Sequence, residues 1–435
     1  MIEEKILNSD DFVLVLTAGL TPAPLIISIG EYKPKWVIFI ATKETNPKVT
    51  EVVESENARR SIKRYETIIL SDPEHFTQCA LEIRREIPKK LEAMDLPENI
   101  LLLADITGGT KAMIAAFATI MTEFNSQYVY VGGTERKDGR VVSGHERVIR
   151  TENPWDILGW NEAKALIDFY NSGQLTAAQN KAELLKDKLE EYKQFYDGIS
   201  IAIRALQKWD LFNYTKAKED LNLALDRRLS SYNNSHRKDF QTLYKNLSAA
   251  RDALIEVEKE AKLLKGVSES APADFGKAYF KDLIANARRR AERGRYDDAV
   301  ARLYSAVEKV AKVALAKRGI DNSKITKEQL AKFDENLRTK YANASGDIKM
   351  AFDDSFAALS ALAPDDPVSL AYTELEPELK KLMSSRNDSL LAHGYIPIDE
   401  NTYKGFHDLV MRFMNITECE LPEFPKMELK AILFN

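Results

Sequence analysis

Near the C-terminal end, the segment SSRNDSLLAHGY sets Arg386 and His393 seven positions apart. In a helix, seven residues is almost two turns, so both side chains would share one stripe, separated by roughly 10 Å of rise. Leu379, Met383 and Leu390 fall on the same stripe and want burial. Charged groups rarely sit on an apolar face unless they are paired or work on something. Arginine is a permanent cation suited to phosphate, and histidine titrates near neutrality. Together they point to acid–base chemistry on a phosphodiester. A second reading stays open, in which both are helix-end residues satisfied locally. Gly394 and Pro397 follow at once as a stop signal, and the helix dipole favours a cation in the last turn.

A second group of residues lies at the ends of apolar runs in the first third of the chain. FVLVL at 12–16 leads into Thr17, Ala18, Gly19 and Leu20, and WVIFIA at 36–41 leads into Thr42 and Lys43. ILLLA at 100–104 leads into DITGGTKAM, with Asp105, Thr107, Gly108, Gly109, Thr110 and Lys111. Glycines let a ligand approach the backbone, and a helix starting near Thr110 directs free N–H groups at whatever sits there. The threonine hydroxyls and the two lysines complete a cradle for phosphates or a nucleotide. The spacing is neither GxxxxGK[ST] nor GxGxxG, and Gly108–Gly109 also reads as a plain turn into the helix.

The elements that must hold these residues follow from periodicity. Apolar runs at 12–16, 36–41, 67–70, 100–104 and 128–132 alternate with helical segments at 47–63, 75–94 and 110–124. Continuous apolar strands suit a parallel sheet covered on both faces, and the alternation marks a doubly wound sheet. Asp138-Gly139 reads as a hairpin turn, which makes the next strand antiparallel. From about 155 to 265 the chain is rich in helix formers, and SESAPADFG at 268–276 reads as a linker. Further helices are expected at 326–341, 346–361, 374–393 and 400–418. The predicted fold class is thus an α/β doubly wound, Rossmann-like domain at 1–152, an all-α connector at 153–268 and a second all-α domain at 269–435. In the last, Arg288, Arg289, Arg290, Arg293 and Arg295 form a basic cluster, either an RNA-backbone contact or a solvated helix face.

Bulk properties narrow the function classes. The 435 residues are 44% hydrophobic and 30% charged, with a net charge of −5, which excludes a general nucleic-acid coat. Cys79, with His75 four positions before it, and Cys419 are the only two cysteines and lie far apart. That excludes a thiolate zinc site and a disulfide framework, and fits a reducing cytoplasm. The N-terminus has no basic leader, so no signal peptide is expected. FVLVLTAGLTPAPLIISIG is broken by Gly19, Pro22 and Pro24 and reads as strand, loop and helix rather than a membrane span. Asp365, Asp366, Glu378 and Lys380 loosely echo a metal-nuclease pattern, but that pattern needs its acidic-x-Lys on a strand, and LEPELKKLM is helical.

Taken in order, a β/α domain with the DITGGTK loop, a helical connector and a terminal RNDSLLAHG segment resemble one family. They are similar to the CRISPR-associated CARF–HEPN ribonucleases of type III systems (the Csm-six/Csx-one group), and YDDAVARLYSAVEKVAK resembles an N-terminal HEPN helix. The resemblance implies a CARF domain that senses a cyclic oligoadenylate of four or six units, contacted by the strand-end residues named above. It implies a HEPN domain that cuts single-stranded RNA without a metal, using Arg386, His393 and, beside them, Asn387. It also implies a cytoplasmic homodimer with no cofactor beyond the activating ring, and possible slow ring cleavage positioned by Thr17 and Thr107. A non-catalytic ligand-sensing regulator and a sensor with a metal-dependent nuclease are the competing functions.

Overall fold

The computed structural model describes residues 11–429 apart from 138–139, 143, 236, 265–275, 345 and 392–393. The described chain divides after Asn161 into two compact units.

The first unit is a doubly wound sheet. Its elements run β1 (Phe12–Thr17), α1 (Ala23–Tyr32), β2 (Trp36–Ala41), α2 (Asn46–Val53), α3 (Glu56–Ser61), β3 (Arg64–Ile69), α4 (Phe76–Ala93), β4 (Leu101–Asp105), α5 (Lys111–Met121) and β5 (Ser126–Gly133). A hairpin, β6 (Arg136–Lys137) with β7 (Arg140–Val141), then leads to β8 (Glu146–Glu152) and the short helix α6 (Pro154–Ile157). The sheet order is β3-β2-β1-β4-β5-β8. The first five strands are parallel, and β8 is antiparallel to β5, as the hairpin requires. The expected turn at Asp138-Gly139 lies outside the described residues.

Burial on both faces explains the unbroken apolar runs. Val13, Val15, Ile38, Ile40, Leu102 and Ala104 pack with Ile83 and Ile87 of α4 and Phe117 of α5. Their neighbours Leu14, Leu16, Val37, Phe39 and Leu103 pack with Leu25 and Ile29 of α1 and Val49 of α2 on the other face. The single helix expected at 47–63 is two, because the Ser55 side chain accepts from the Ala58 N–H and caps a new start. Strand order reverses between β1 and β4, and ligands of such sheets bind beyond the strand ends at that point.

The second unit is helical. It contains α7 (Trp160–Asn171), α8 (Leu175–Lys188), α9 (Lys193–Asp210), α10 (Tyr214–Asn222) and α11 (Lys238–Leu263), packed around Phe195, Tyr196, Leu206, Trp209 and Leu225. Then come α12 (Lys277–Ala291), α13 (Tyr296–Ala316), α14 (Lys327–Leu330), α15 (Glu335–Tyr341), α16 (Phe352–Leu362), α17 (Pro367–Asn387) and α18 (Glu400–Met414). Their core holds Ile284, Leu303, Phe356, Leu379, Val410 and Phe413. The chain after α18 returns to the first core, where Met427 and Leu429 are buried. Asn171 fixes it there, exchanging two hydrogen bonds of 2.9 Å with the backbone of Met427. Among the described residues no helix is long and apolar enough to cross a membrane.

Four arginines of the basic cluster at the end of α12 and just beyond it turn to carboxylates of their own unit, and Arg295 is exposed. Arg289 and Arg290 are buried, and with Arg293 they converge on Asp210 at 2.9–3.3 Å. Arg288 pairs with Glu418 and Glu423. Nearby, Trp209 and Tyr214 donate to the fully buried Asp282 at 2.8 and 2.9 Å, and burial pushes its carboxyl up to about 6. A charge left alone inside would cost far more than a hydrogen bond returns, so the arginines turn inward to meet their carboxylates.

The helix expected at 374–393 also differs. It runs Pro367–Asn387, so the stripe that carries Leu379 and Arg386 ends before Leu390. Asn387, Asp388 and Ser389 are side chains that compete with helical hydrogen bonds. The chain then folds back through hydrogen bonds from the Gly394 N–H to Ser389 O and from the Ile396 N–H to Asp388 O. Gly394 lies so close to the Asp388 carbonyl that any Cβ would collide with it. Leu390 is consequently exposed rather than buried. His393 lies outside the described residues.

Candidate functional sites

At the β1–β4 edge two loops meet backbone to backbone. A Cβ on Gly108 would stand 2.6 Å from Thr17 O, and one on Gly19 would stand 2.9 Å from the Gly109 nitrogen. Gly109 adopts φ +108°, a conformation that glycine accepts readily. The glycines therefore do more than turn the chain: they let the two loops touch.

Several of the expected ligand residues build this edge rather than face outward. Thr17, Ala18, Thr42 and Asp105 are buried. Thr17 Oγ1 donates to Asp105 O at 3.3 Å. The Asp105 carboxylate accepts from the Ser28 hydroxyl and, at 2.8 Å, from the Thr107 N–H. Burial raises its pKa while these bonds pull it down. Thr42 and Thr45 cap each other, each backbone N–H donating to the other's hydroxyl at 2.9 and 3.1 Å. Thr107 Oγ1 accepts from the Val131 N–H at 2.8 Å, and Thr110 caps α5 by accepting from the Met113 N–H. The outward surface is left to Gly19, Leu20, Lys43, Thr107, Gly108, Gly109, Thr110 and Lys111, of which Leu20, Lys43 and Lys111 are exposed. This rim offers backbone N–H groups at a helix start, hydroxyls and two cations, a set suited to phosphate oxygens.

In the second unit, the guanidinium of Arg386 lies over the Tyr304 ring of α13, 4.5 Å from its centroid. Tyr304 stacks in turn on Phe352 at 5.7 Å. Arg386 Nη1 donates to Asn387 Oδ1 at 3.1 Å, so Asn387 orients the arginine. Among the described residues no carboxylate lies within 4 Å of Arg386, although most cations of this unit are paired. Burial raises the Tyr304 pKa, and nearby Glu308 adds to the effect. Just beyond Arg386, Leu390, Leu391, Tyr395 and Ile396 stand exposed, Tyr395 at 90%. Sequence reasoning missed Tyr304, because nothing local links it to a residue 82 positions on. The metal-nuclease echo has no support in geometry: Glu378 and Lys380 are on α17, paired with Arg412 and Glu376, and Asp366 caps α17 and binds Arg318.

Comparison with known proteins adds one assignment. A protein-family model described as the Csm6 HEPN domain matches residues 269–417. No curated protein matches the chain. Among solved structures, Enterococcus italicus Csm6 bound to cyclic hexa-2'-fluoro-hexa-dAMP is 12% identical, with 93% of each chain covered and a TM-score of 0.39. Can2 from Sulfobacillus thermosulfidooxidans in complex with cyclic tetra-adenylate is 18% identical over 40% of this chain and 50% of that one, at a TM-score of 0.25. Both are too distant for their ligands to be carried over. Residues 269–417, which hold Tyr304, Arg386 and Asn387, match the Csm6 HEPN family model, and they follow a doubly wound α/β unit, the domain order of the CARF–HEPN ribonucleases that the sequence resembles.

Proposed function

We propose that this protein is a metal-independent endoribonuclease of type III CRISPR defence, acting on single-stranded RNA and switched on by a cyclic oligoadenylate of four or six units. The observation that carries the reading is Arg386: a cation without a carboxylate partner among the described residues, held over an aromatic ring inside a Csm6-type HEPN domain. A second copy of the chain completes the site. The exposed side chains of Leu390, Leu391, Tyr395 and Ile396 are the surface such a copy would cover, and paired identical sites suit a two-fold assembly.

The reaction balances within the RNA. The 2′-hydroxyl attacks the adjacent phosphorus, the 2′-O–P bond forms and the P–O5′ bond breaks. His393 moves a proton, either from the nucleophile or to the leaving 5′-oxygen. Arg386 holds the phosphoryl oxygens as negative charge builds, and Asn387 keeps the guanidinium in place. Products end in a 2′,3′-cyclic phosphate, and DNA, lacking the hydroxyl, is inert.

The activating ring binds at the β1–β4 edge through the rim from Thr107 to Lys111 with Gly19, Leu20 and Lys43. It acts by favouring the cutting arrangement over the idle one. Thr107 is better suited than the buried Thr17 to touch the ring, since its oxygen accepts from Val131 and its own proton remains to donate.

The test is His393→Ala in the full chain, with and without chelator. The expected result is cutting by the parent protein that survives EDTA, and a variant that binds the ring normally but does not cut. Cutting abolished by EDTA points to the metal-dependent alternative. No cutting with either ring points to a non-catalytic regulator, and equal loss of cutting and ring binding in a folded variant refutes the separation of sites.

A further inference from the structure

On the second unit two cavities, of about 530 and 380 Å³, share the side chains of Phe212, Tyr279 and Lys309, so together they form one groove. One side of it is α13, through Ala301, Arg302, Ser305, Lys309, Lys312 and Val313. The facing side is built from the α9–α10 turn, the end of α11 and the start of α12. From Ala301 to Val313 the groove follows α13 for about 18 Å, which is more than one nucleotide fills.

Phe212 holds an unfavourable backbone conformation there. Its φ is +60°, in the left-handed region that residues with a Cβ avoid. It follows the C-cap of α9, where its N–H donates to Trp209 O at 2.8 Å and the Asn213 N–H donates to Lys208 O at 2.9 Å. Glycine is the usual residue at that point of a helix end. Phenylalanine instead puts a half-buried ring where the two cavities join. The guanidinium carbon of Arg302 lies 5.6 Å from the centre of that ring. Bases stack on aromatic rings and on guanidinium planes alike.

The cations of the groove are short of counter-charge. Among the described residues no carboxylate lies within 4 Å of Lys309 or Lys312. Lys309 donates to the Ser305 hydroxyl. Burial holds its ammonium below the usual lysine range, with Glu308 opposing and Lys312 adding to the effect. The acids along the groove have other partners: Glu258 meets Thr215, Lys218 and Lys262, and Asp321 meets Ser323. Two neighbouring ammonium groups without carboxylates favour an anion between them.

We infer that this groove is a track for single-stranded RNA on its way to Arg386. Bases stack on Phe212 and Tyr279, and Lys309 and Lys312 hold the phosphates, the pairing of rings and cations that single strands require. Tyr304, beneath Arg386, directly precedes Ser305 on α13, so the track runs beside the proposed cutting site. The inference rests on the RNA-cutting reading above.

Fluorescence anisotropy with a labelled single-stranded RNA oligonucleotide tests it, in the full chain carrying His393→Ala to spare the probe. Lys309→Gln combined with Lys312→Gln should fold as the parent does, since Lys312 is exposed and a glutamine can keep the bond to Ser305. The plot of log affinity against log salt should become shallower by about 1.4, at about 0.7 per phosphate contact. Phe212→Leu keeps an apolar side chain but no ring, and affinity should fall about tenfold. Lys238→Gln combined with Lys245→Gln removes the same charge from exposed positions of α11, about 20 Å or more along the helix from Glu258, and should bind as the parent does. With His393 intact and the ring present, the groove variants should raise KM for RNA and change kcat far less. The track is overturned if the groove variants keep the parent's affinity and salt slope, or if the α11 variant flattens the slope as much. It is also overturned if AMP displaces the probe at the same concentration as an unlabelled strand. A parent that binds RNA through these residues but never cuts it upholds the track and sinks the ribonuclease reading instead.

Discussion

The β1–β4 edge and the Arg386 loop treat their polar groups in opposite ways. At the sheet edge Thr17, Thr42, Asp105, Thr107 and Thr110 all hydrogen-bond within their own unit, and the outward rim stands on a finished scaffold. At the loop, Arg386 has a ring beneath it and one amide beside it, and its apolar neighbours face solvent. A scaffold that satisfies itself can hold a ligand by shape and backbone. A cation with no carboxylate within 4 Å among the described residues, bordered by exposed apolar side chains, suits the proposed half-site, which a second copy would complete. The contrast matches the proposed division between sensing and cutting.

The largest effect should come from the cation. Arg386→Ala should lower ring-activated RNA cutting by roughly 100- to 1,000-fold and leave the thermal midpoint nearly unchanged, as read by gel cleavage and calorimetry. A large loss of stability instead would make Arg386 a structural residue and erase the contrast.

A charge with every partner supplied offers the opposite case. The Asp282 carboxyl, raised to about 6 in the folded protein, holds its proton to higher pH than the unfolded chain, where an aspartate titrates near 3.9. Between those values the folded state binds more protons, so this group's contribution to stability is greatest near pH 4 and falls as pH rises through about 6. The loss is about 2–3 kcal/mol. Asp282→Asn should flatten that slope in urea midpoints measured from pH 4 to 7. Parallel profiles for the two proteins would contradict it.

At the sheet edge, Gly108→Val should cost about 1–3 kcal/mol of stability through the clash with Thr17 O, and ring binding should disappear. Unaltered ring affinity would remove the edge from the sensing role. The smallest effect is at the ring beneath the cation. Tyr304→Leu should slow cutting by roughly 5- to 30-fold, the worth of a partly buried cation–π contact, whereas Tyr304→Phe should stay within about twofold of the parent.

The sheet edge was legible in the sequence because local signals carry it: apolar runs mark the strands, and a Gly-Gly-Thr after a strand marks a turn into a helix. The roles within the edge were less so, since the burial of Asp105 depends on Ser28, 77 positions away. The Arg386 helix ends earlier than its periodicity suggests, and for a different reason. Periodicity carried the apolar stripe on through Leu390, and only the contact of Gly394 with Asp388 reveals that the chain has already folded back. The arginine cluster reads as a charge run until Asp210, some 80 positions earlier, is seen among its side chains. The misreadings of Asp105 and of the arginines involve partners distant in sequence, which no local pattern encodes; that of the helix end involves a tight local fold-back only six positions long, which periodicity does not register.

The clasp between Asn171 and Met427 spans 256 positions of chain. A ribosome adds about 5–20 residues per second, so α7 waits roughly 13–50 s after its synthesis before the strap that locks it exists. Until then the helical unit lacks one wall, and a nascent chain that stalls between α7 and Met427 never acquires it. Closure of the helical unit therefore waits on residue 427, a delay built into the order of the chain.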